Sequence, residues 1–169
     1  RRPIPFFSVH EFDLGILLDR IGDVLMVQRD FSAALKSYRA KQEVIGRLVK
    51  SDPRNAAWQR DLAVSHDKIG DALRAHGNLE AALGAYRDSI AVRERLTESD
   101  AANTVWQRDL STSYEKIGGA LAAAGRLPAA LKSYRESLAI RERLAKSDPS
   151  NAQWRRDHAL VFNNMCWAQ

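Results

Sequence analysis

Trp58, Trp106 and Trp154 stand at a constant interval of 48 residues, and each opens nearly the same phrase. The phrases read Trp58-Gln59-Arg60-Asp61-Leu62, Trp106-Gln107-Arg108-Asp109-Leu110 and Trp154-Arg155-Arg156-Asp157. A chain duplicated at such a period buries its apolar surface only by stacking neighbouring copies, so it folds as a solenoid rather than around one centre. The same offset joins Tyr38, Tyr86 and Tyr134, then Leu48, Leu96 and Leu144, then Asn55, Asn103 and Asn151. One period before Trp58 lies His10, with Asp13, Leu14, Ile21 and Gly22 in register. The expected organisation is therefore a lead or cap over 1–9 and an array over 10–169, with units at 10–57, 58–105 and 106–153 and a half unit at 154–169.

Each unit reads as two helices. In the second copy Pro53 pushes Asp52 out of helical geometry, and Asn55 supplies a cap for a first helix over about 56–75. Trp58, Leu62, His66, Ile69 and Leu73 recur at spacings of three and four, which places them on one face. Gly77 provides a left-handed turn, and a second helix over about 79–97 carries Leu79, Ala82, Leu83, Tyr86, Ile90 and Leu96. The small residues Gly70 and Ala82 predict close approach of the two backbones in an antiparallel hairpin. The tryptophans read as core anchors between units rather than as stacking platforms. The aspartates of the Arg-Asp pairs read as structural, favoured by the dipole near the start of the helix.

The spacing Ile69-Gly70, Leu73, Ala82, Tyr86 resembles the tetratricopeptide repeat, whose pattern runs Leu-Gly-x-x-Tyr, then Ala-x-x-x-Phe, then Pro. Two features depart from it. The usual tryptophan slot, four before the glycine, holds Leu18, His66 and Tyr114, and the period is 48 rather than about 34. In this the unit is similar to the longer repeats of kinesin light chains and of bacterial multidomain signalling proteins. The resemblance implies an all-α, right-handed α-solenoid of antiparallel helical hairpins, whose concave groove is lined by the first helix of each pair and receives a peptide or partner protein.

On that reading the groove residues lie opposite the apolar stripe: Arg60, Val64, Asp67, Asp71 and Arg74 in the second copy. Across copies they form rows. Ile16, Val64, Thr112 and Leu160 make a mainly apolar row, Asp19, Asp67 and Glu115 an acidic one, and Arg60, Arg108 and Arg156 a basic one. Asp23 joins Asp19 as Asp71 joins Asp67, in slots where chaperone-tail receptors of this family carry lysine and asparagine. The acidic row predicts a ligand of mixed or basic character.

Composition closes off other classes. Apolar residues make up 45% and charged ones 28% of 169 residues, and mean hydropathy is −0.39, which describes a folded, water-facing chain without an apolar run long enough to span a bilayer. The lone Cys166 forms no internal disulfide and fits a cytoplasmic compartment. Net charge is +5, the one feature favouring the alternative of a nucleic-acid-binding solenoid, yet opposite charges alternate along the helices as on a solvated surface. No phosphate loop, metal-ligand set or nucleophile–base motif occurs, and the expectation is a non-enzyme without cofactor. The chain opens Arg1-Arg2-Pro3 without methionine, as a piece of a longer protein would. Trp154, His158, Phe162 and Met165 continue the stripe with no second helix after them. This predicts either further repeats or self-association through that half unit.

Overall fold

The computed structural model describes residues 6–167, with the side chains of 6–9, 164, 166 and 167 outside the described set, so residues 1–5 of the expected cap over 1–9 lie beyond it, while 6–9 form the first turn of α1. Seven helices and no strand are found among the described residues: α1 (Phe6–Val27), α2 (Phe31–Ser51), α3 (Ala56–Ala75), α4 (Leu79–Ser99), α5 (Thr104–Ala123), α6 (Leu127–Ser147) and α7 (Ala152–Trp167). The chain is an all-α solenoid of helical repeats. Two compact units divide it, Arg1–Val92 and Arg93–Gln169, and the division falls within α4.

Local chemistry sets the helix ends. Asn55 Oδ1 accepts from the amides of Ala57 and Trp58 at 3.1 and 3.2 Å, and Asn103 and Asn151 accept from Trp106 and Trp154 at 3.2 Å. Each asparagine thus satisfies first-turn amides that have no partner within the helix. At the hairpin turns Gly77 (φ 88°) and Gly125 (φ 72°) adopt the left-handed conformation, and Arg29 (φ 63°) does the same in the first copy. The amides that follow, of Asn78, Arg126 and Asp30, donate to the carbonyls of Leu73, Leu121 and Leu25 at 2.8–3.0 Å, closing each helix by a six-to-one bond.

In the first unit α2 packs on both α1 and α3, burying Ala34, Tyr38, Val44, Ile45 and Leu48. The burial of α3 is wider than its apolar stripe. Ile69 and Leu73 are buried as expected, but Trp58, Leu62 and His66 are only half-buried, while Ala63, Ser65, Asp67, Gly70 and Ala72 are fully packed. Most of these residues are small or polar, and a hydrophobicity pattern does not register them. The tryptophans are less buried than the expectation of core anchors between units implies. All three are half-buried at the first turn of their helices, where the helix end leaves part of the ring uncovered, and the most buried large side chains are Tyr86, Ile45, Leu48, Leu83 and Val161.

The recurrent glycine serves a ring rather than the facing alanine. A Cβ on Gly70 would lie 2.5 Å from Tyr86 Cε1, on Gly22 2.3 Å from Tyr38 Cε1, and on Gly118 2.7 Å from Tyr134 Cε1. Each tyrosine ring is therefore packed directly against the bare backbone of its own hairpin partner, and any larger residue at the glycine must displace it.

The second unit repeats the arrangement, with α6 packed on α5 and α7. There α7 buries Asp157 and Val161, leaving Leu160 and Phe162 about half exposed at 48% and 49%. On α1 in the first unit, Leu14, Leu17, Ile21 and Val24 are 42–56% exposed, whereas Ser65, Ile69 and Ala72, at three of the corresponding positions of α3, are at most 6% exposed.

Candidate partner-binding groove

The thirteen residues expected to line a groove do not share one environment. In the first unit a cavity of about 210 Å³ opens among α1, α2 and α3, lined by Phe12, Gly15, Ile16, Asp19, Arg20, Lys41, Ile45, Asp61 and Val64. It brings together Ile16, Asp19 and Val64. Arg60 and Arg74 are exposed, and Asp23 and Asp71 do not reach the cavity. Asp67 is 5% exposed, which corrects its assignment as a ligand contact, since almost none of its surface is left for one.

The acidic row is internally compensated. Asp19 accepts from Lys41 Nζ at 2.8 Å and from Lys68 Nζ at 2.7 Å, and Lys68 also reaches both oxygens of Asp23 at 2.7 and 2.8 Å. Lys68 Nζ lies 5.5 Å from the Tyr38 ring centroid, and the Tyr38 hydroxyl donates to Asp23 at 2.7 Å. Burial raises the Asp19 carboxyl, but the two lysines outweigh it and hold the group below the usual carboxylate range. Burial likewise lowers Lys68, and the carboxylates of Asp19 and Asp23 reverse this to a raised value. Asp71 accepts the Tyr86 hydroxyl at 2.7 Å. These carboxylates therefore join helices, Asp19 and Asp23 through lysine and Asp71 through tyrosine. Lys41 and Lys68 escaped the sequence reading. Lys41 carried one signal, a charge seated at a buried register of α2.

In the second unit the same logic uses arginine. Arg141, 5% exposed, donates to Glu115 at 2.7 Å, to the Asp157 carbonyl at 2.8 Å and to Ser111 Oγ at 3.1 Å. Arg93 reaches the Asp109 carbonyl at 2.8 Å and also donates to Ser113 Oγ. Arg108 Nε pairs with Asp157 at 2.8 Å, so this member of the basic row has an internal partner. Thr112 Oγ1 donates back to the Arg108 carbonyl at 3.1 Å. Arg156 and Leu160 remain exposed on α7. In this unit the Arg-Asp phrase is structural, with Asp109 and Asp157 acting through carbonyl and side-chain bonds to arginine as well as through the helix dipole. A second cleft, of about 670 Å³, lies between the ends of α4 and α6 over the start of α5, with Leu110, Ile140 and Leu144 in its wall.

His66 accepts from Gln42 Nε2 at 3.0 Å through Nδ1, with Asp88 Oδ2 3.8 Å away. Burial lowers its pKa, against the raising influence of Asp88 and Asp67. A histidine held neutral by the fold stabilises it fully above pH about 6.5, the unfolded value, and that contribution is lost as pH falls through the lower folded value. The melting temperature is thus expected to drop more between pH 7 and 5 in the wild type than in His66→Leu, which takes the residue of the first copy. Equal pH slopes in the two melting series would remove His66 as the source.

Among the described residues no group of three His, Cys, Asp or Glu is placed to hold a metal ion, and no helix is long and apolar enough to cross a membrane. No curated protein matches the chain. Two solved structures titled as crystal structures of MamA are similar to it. One is 18% identical with 92% of this chain and 86% of that chain covered, the other 19% identical with 85% and 84% covered, and both have a TM-score of 0.36. A family profile described as tetratricopeptide repeat matches residues 62–100 and 110–151. These segments contain the Gly70–Tyr86 and Gly118–Tyr134 contacts. The chain is a tetratricopeptide-like repeat protein.

Proposed function

We propose that this chain is a protein-interaction scaffold that binds a peptide or partner protein on the faces of its odd-numbered helices, as the recognition module of a larger signalling or effector protein of bacterial type. Tetratricopeptide repeats are non-catalytic interaction scaffolds, and the 48-residue unit resembles long repeats found in multidomain signalling proteins. The observation that carries the reading is the open cavity between α1, α2 and α3, where apolar Ile16 and Val64 lie beside charged groups of both signs. Such a mixed, concave surface suits side chains of an extended ligand. The cations Lys41, Lys68, Arg108 and Arg141 are engaged by carboxylates, so they do not form the unpaired basic stripe a phosphate backbone requires.

The test is a selection of binders from a displayed random-peptide library on the whole chain. Ile16→Asp and Val64→Asp are expected each to weaken the selected peptides by at least about tenfold, the loss of a central apolar contact. Val105→Asp, at an exposed apolar site outside the cavity, is expected to leave them unchanged. Peptides that bind all three variants equally would place the binding surface elsewhere.

A further inference from the structure

The copies of the Arg-Asp phrase differ at one junction. Arg108 on α5 pairs with Asp157 on α7 through a 2.8 Å contact. Two periods earlier the corresponding residues are Phe12 on α1 and Asp61 on α3. The slot that holds arginine at 60, 108 and 156 holds phenylalanine at 12, so Asp61 lacks the guanidinium that Asp157 receives. Among the described residues no hydrogen bond or ion pair to the Asp61 carboxylate is formed. The site of the missing arginine is also not filled by protein. Phe12 and Asp61 both line the 210 Å³ cavity.

The remaining walls are suited to the same group. Phe12 offers an aromatic face, on which a guanidinium stacks favourably, and Ile16, Ile45 and Val64 offer apolar surface for an aliphatic stem. Of the other charged groups in the walls, Asp19 and Lys41 neutralise each other at 2.8 Å with Lys68 as a second cation, and Arg20 is exposed. Asp61 is thus the wall carboxylate whose charge lacks a contact partner. Its carboxyl is raised by burial, with Lys41 and Arg60 only partly opposing this. The volume is below that of a drug-sized pocket, which is typically ~300 Å³ or more, and it fits one side chain.

We propose that this cavity is a receptor for one arginine side chain of a partner peptide, which completes with Asp61 the ion pair that Arg108 and Asp157 make within the chain. This rests on the reading that a partner lies against α1 and α3, and it names one residue that partner carries.

The probe is Nα-acetyl-arginine methylamide, titrated into the full chain while the methyl resonances of Ile16, Ile45 and Val64 are followed by NMR. Saturable shifts are expected, with the neutral citrulline analogue at least tenfold weaker and Asp61→Asn abolishing the response. Phe12→Arg, the residue of the other copies, is expected to occupy the cavity from within, eliminating the response and raising the melting temperature. Equal binding of the citrulline analogue, or binding retained by Asp61→Asn, overturns the proposal. If library-selected peptides bind this face but tolerate replacement of every arginine by citrulline, the arginine receptor fails and the peptide-binding reading stands. If no peptide is selected yet acetyl-arginine methylamide titrates through Asp61, the receptor stands and that broader reading fails.

Discussion

Gly70→Ala is expected to destabilise the first unit by about 2–3 kcal/mol, the range of overpacking in a filled core. The added methyl would sit 2.5 Å from Tyr86 Cε1 and 2.7 Å from Cδ1, well inside carbon–carbon contact. The ring has no room to retreat, because Tyr86 is fully buried and its hydroxyl is held by Asp71. Gly84→Ala, in the interior of α4 with nothing within 4 Å of the new Cβ, is expected to gain about 0.5–1 kcal/mol from the lower backbone entropy of alanine. Urea melts of the two variants measure the contrast. A Gly70→Ala protein as stable as Gly84→Ala would mean that the glycine–tyrosine contact does not constrain the hairpin.

Arg141→Met is the second substitution with a large expected effect, about 3 kcal/mol lost locally in the second unit, as when one partner of a buried pair is removed. The guanidinium is the shared partner of the Glu115 carboxylate, the Asp157 carbonyl and Ser111 Oγ, and methionine retains its stem but none of its donors. Arg108→Met provides the comparison. Its side chain is 47% exposed, so loss of its pair with Asp157 is expected to cost about 1 kcal/mol or less. Amide hydrogen exchange across α5, α6 and α7 reads the local loss directly, since repeat arrays open in parts. Equal protection in the two variants would mean that the buried arginine is no more structural than the surface one.

The helices were legible because their signals are local. Asn55 before α3 and Gly77 after it act within a few residues, so periodicity and capping chemistry located both ends of the helix. The burial pattern was less so. Ser65 and Ser111 are fully buried although serine carries no apolar signal, since what selects them is the proximity of a second helix. The candidate site was least legible, because helical spacing gives the face of a residue but not the reach of a lysine on another helix. Asp19 and Asp23 look like ligand contacts on α1 until Lys68 arrives from α3, 45 to 49 positions along the chain. The exception is the junction of Phe12 with Asp61. There the fourfold slot of 12, 60, 108 and 156 was on view in the sequence, and only the Arg108–Asp157 contact disclosed what the change of residue means.

The turn at Arg29 shows what the copies share where their residues differ. Gly77 and Gly125 fill that slot without steric cost, whereas an L-residue at φ 63° carries a penalty of about 1–2 kcal/mol. The Asp30-to-Leu25 amide bond nevertheless closes the helix as its counterparts do in the later copies. The same backbone path is therefore reached with arginine as with glycine in that slot, and the closing bond does not depend on which of the two fills it. The hairpin's register is thus held by the bond across the turn, and the slot itself tolerates a side chain at that cost.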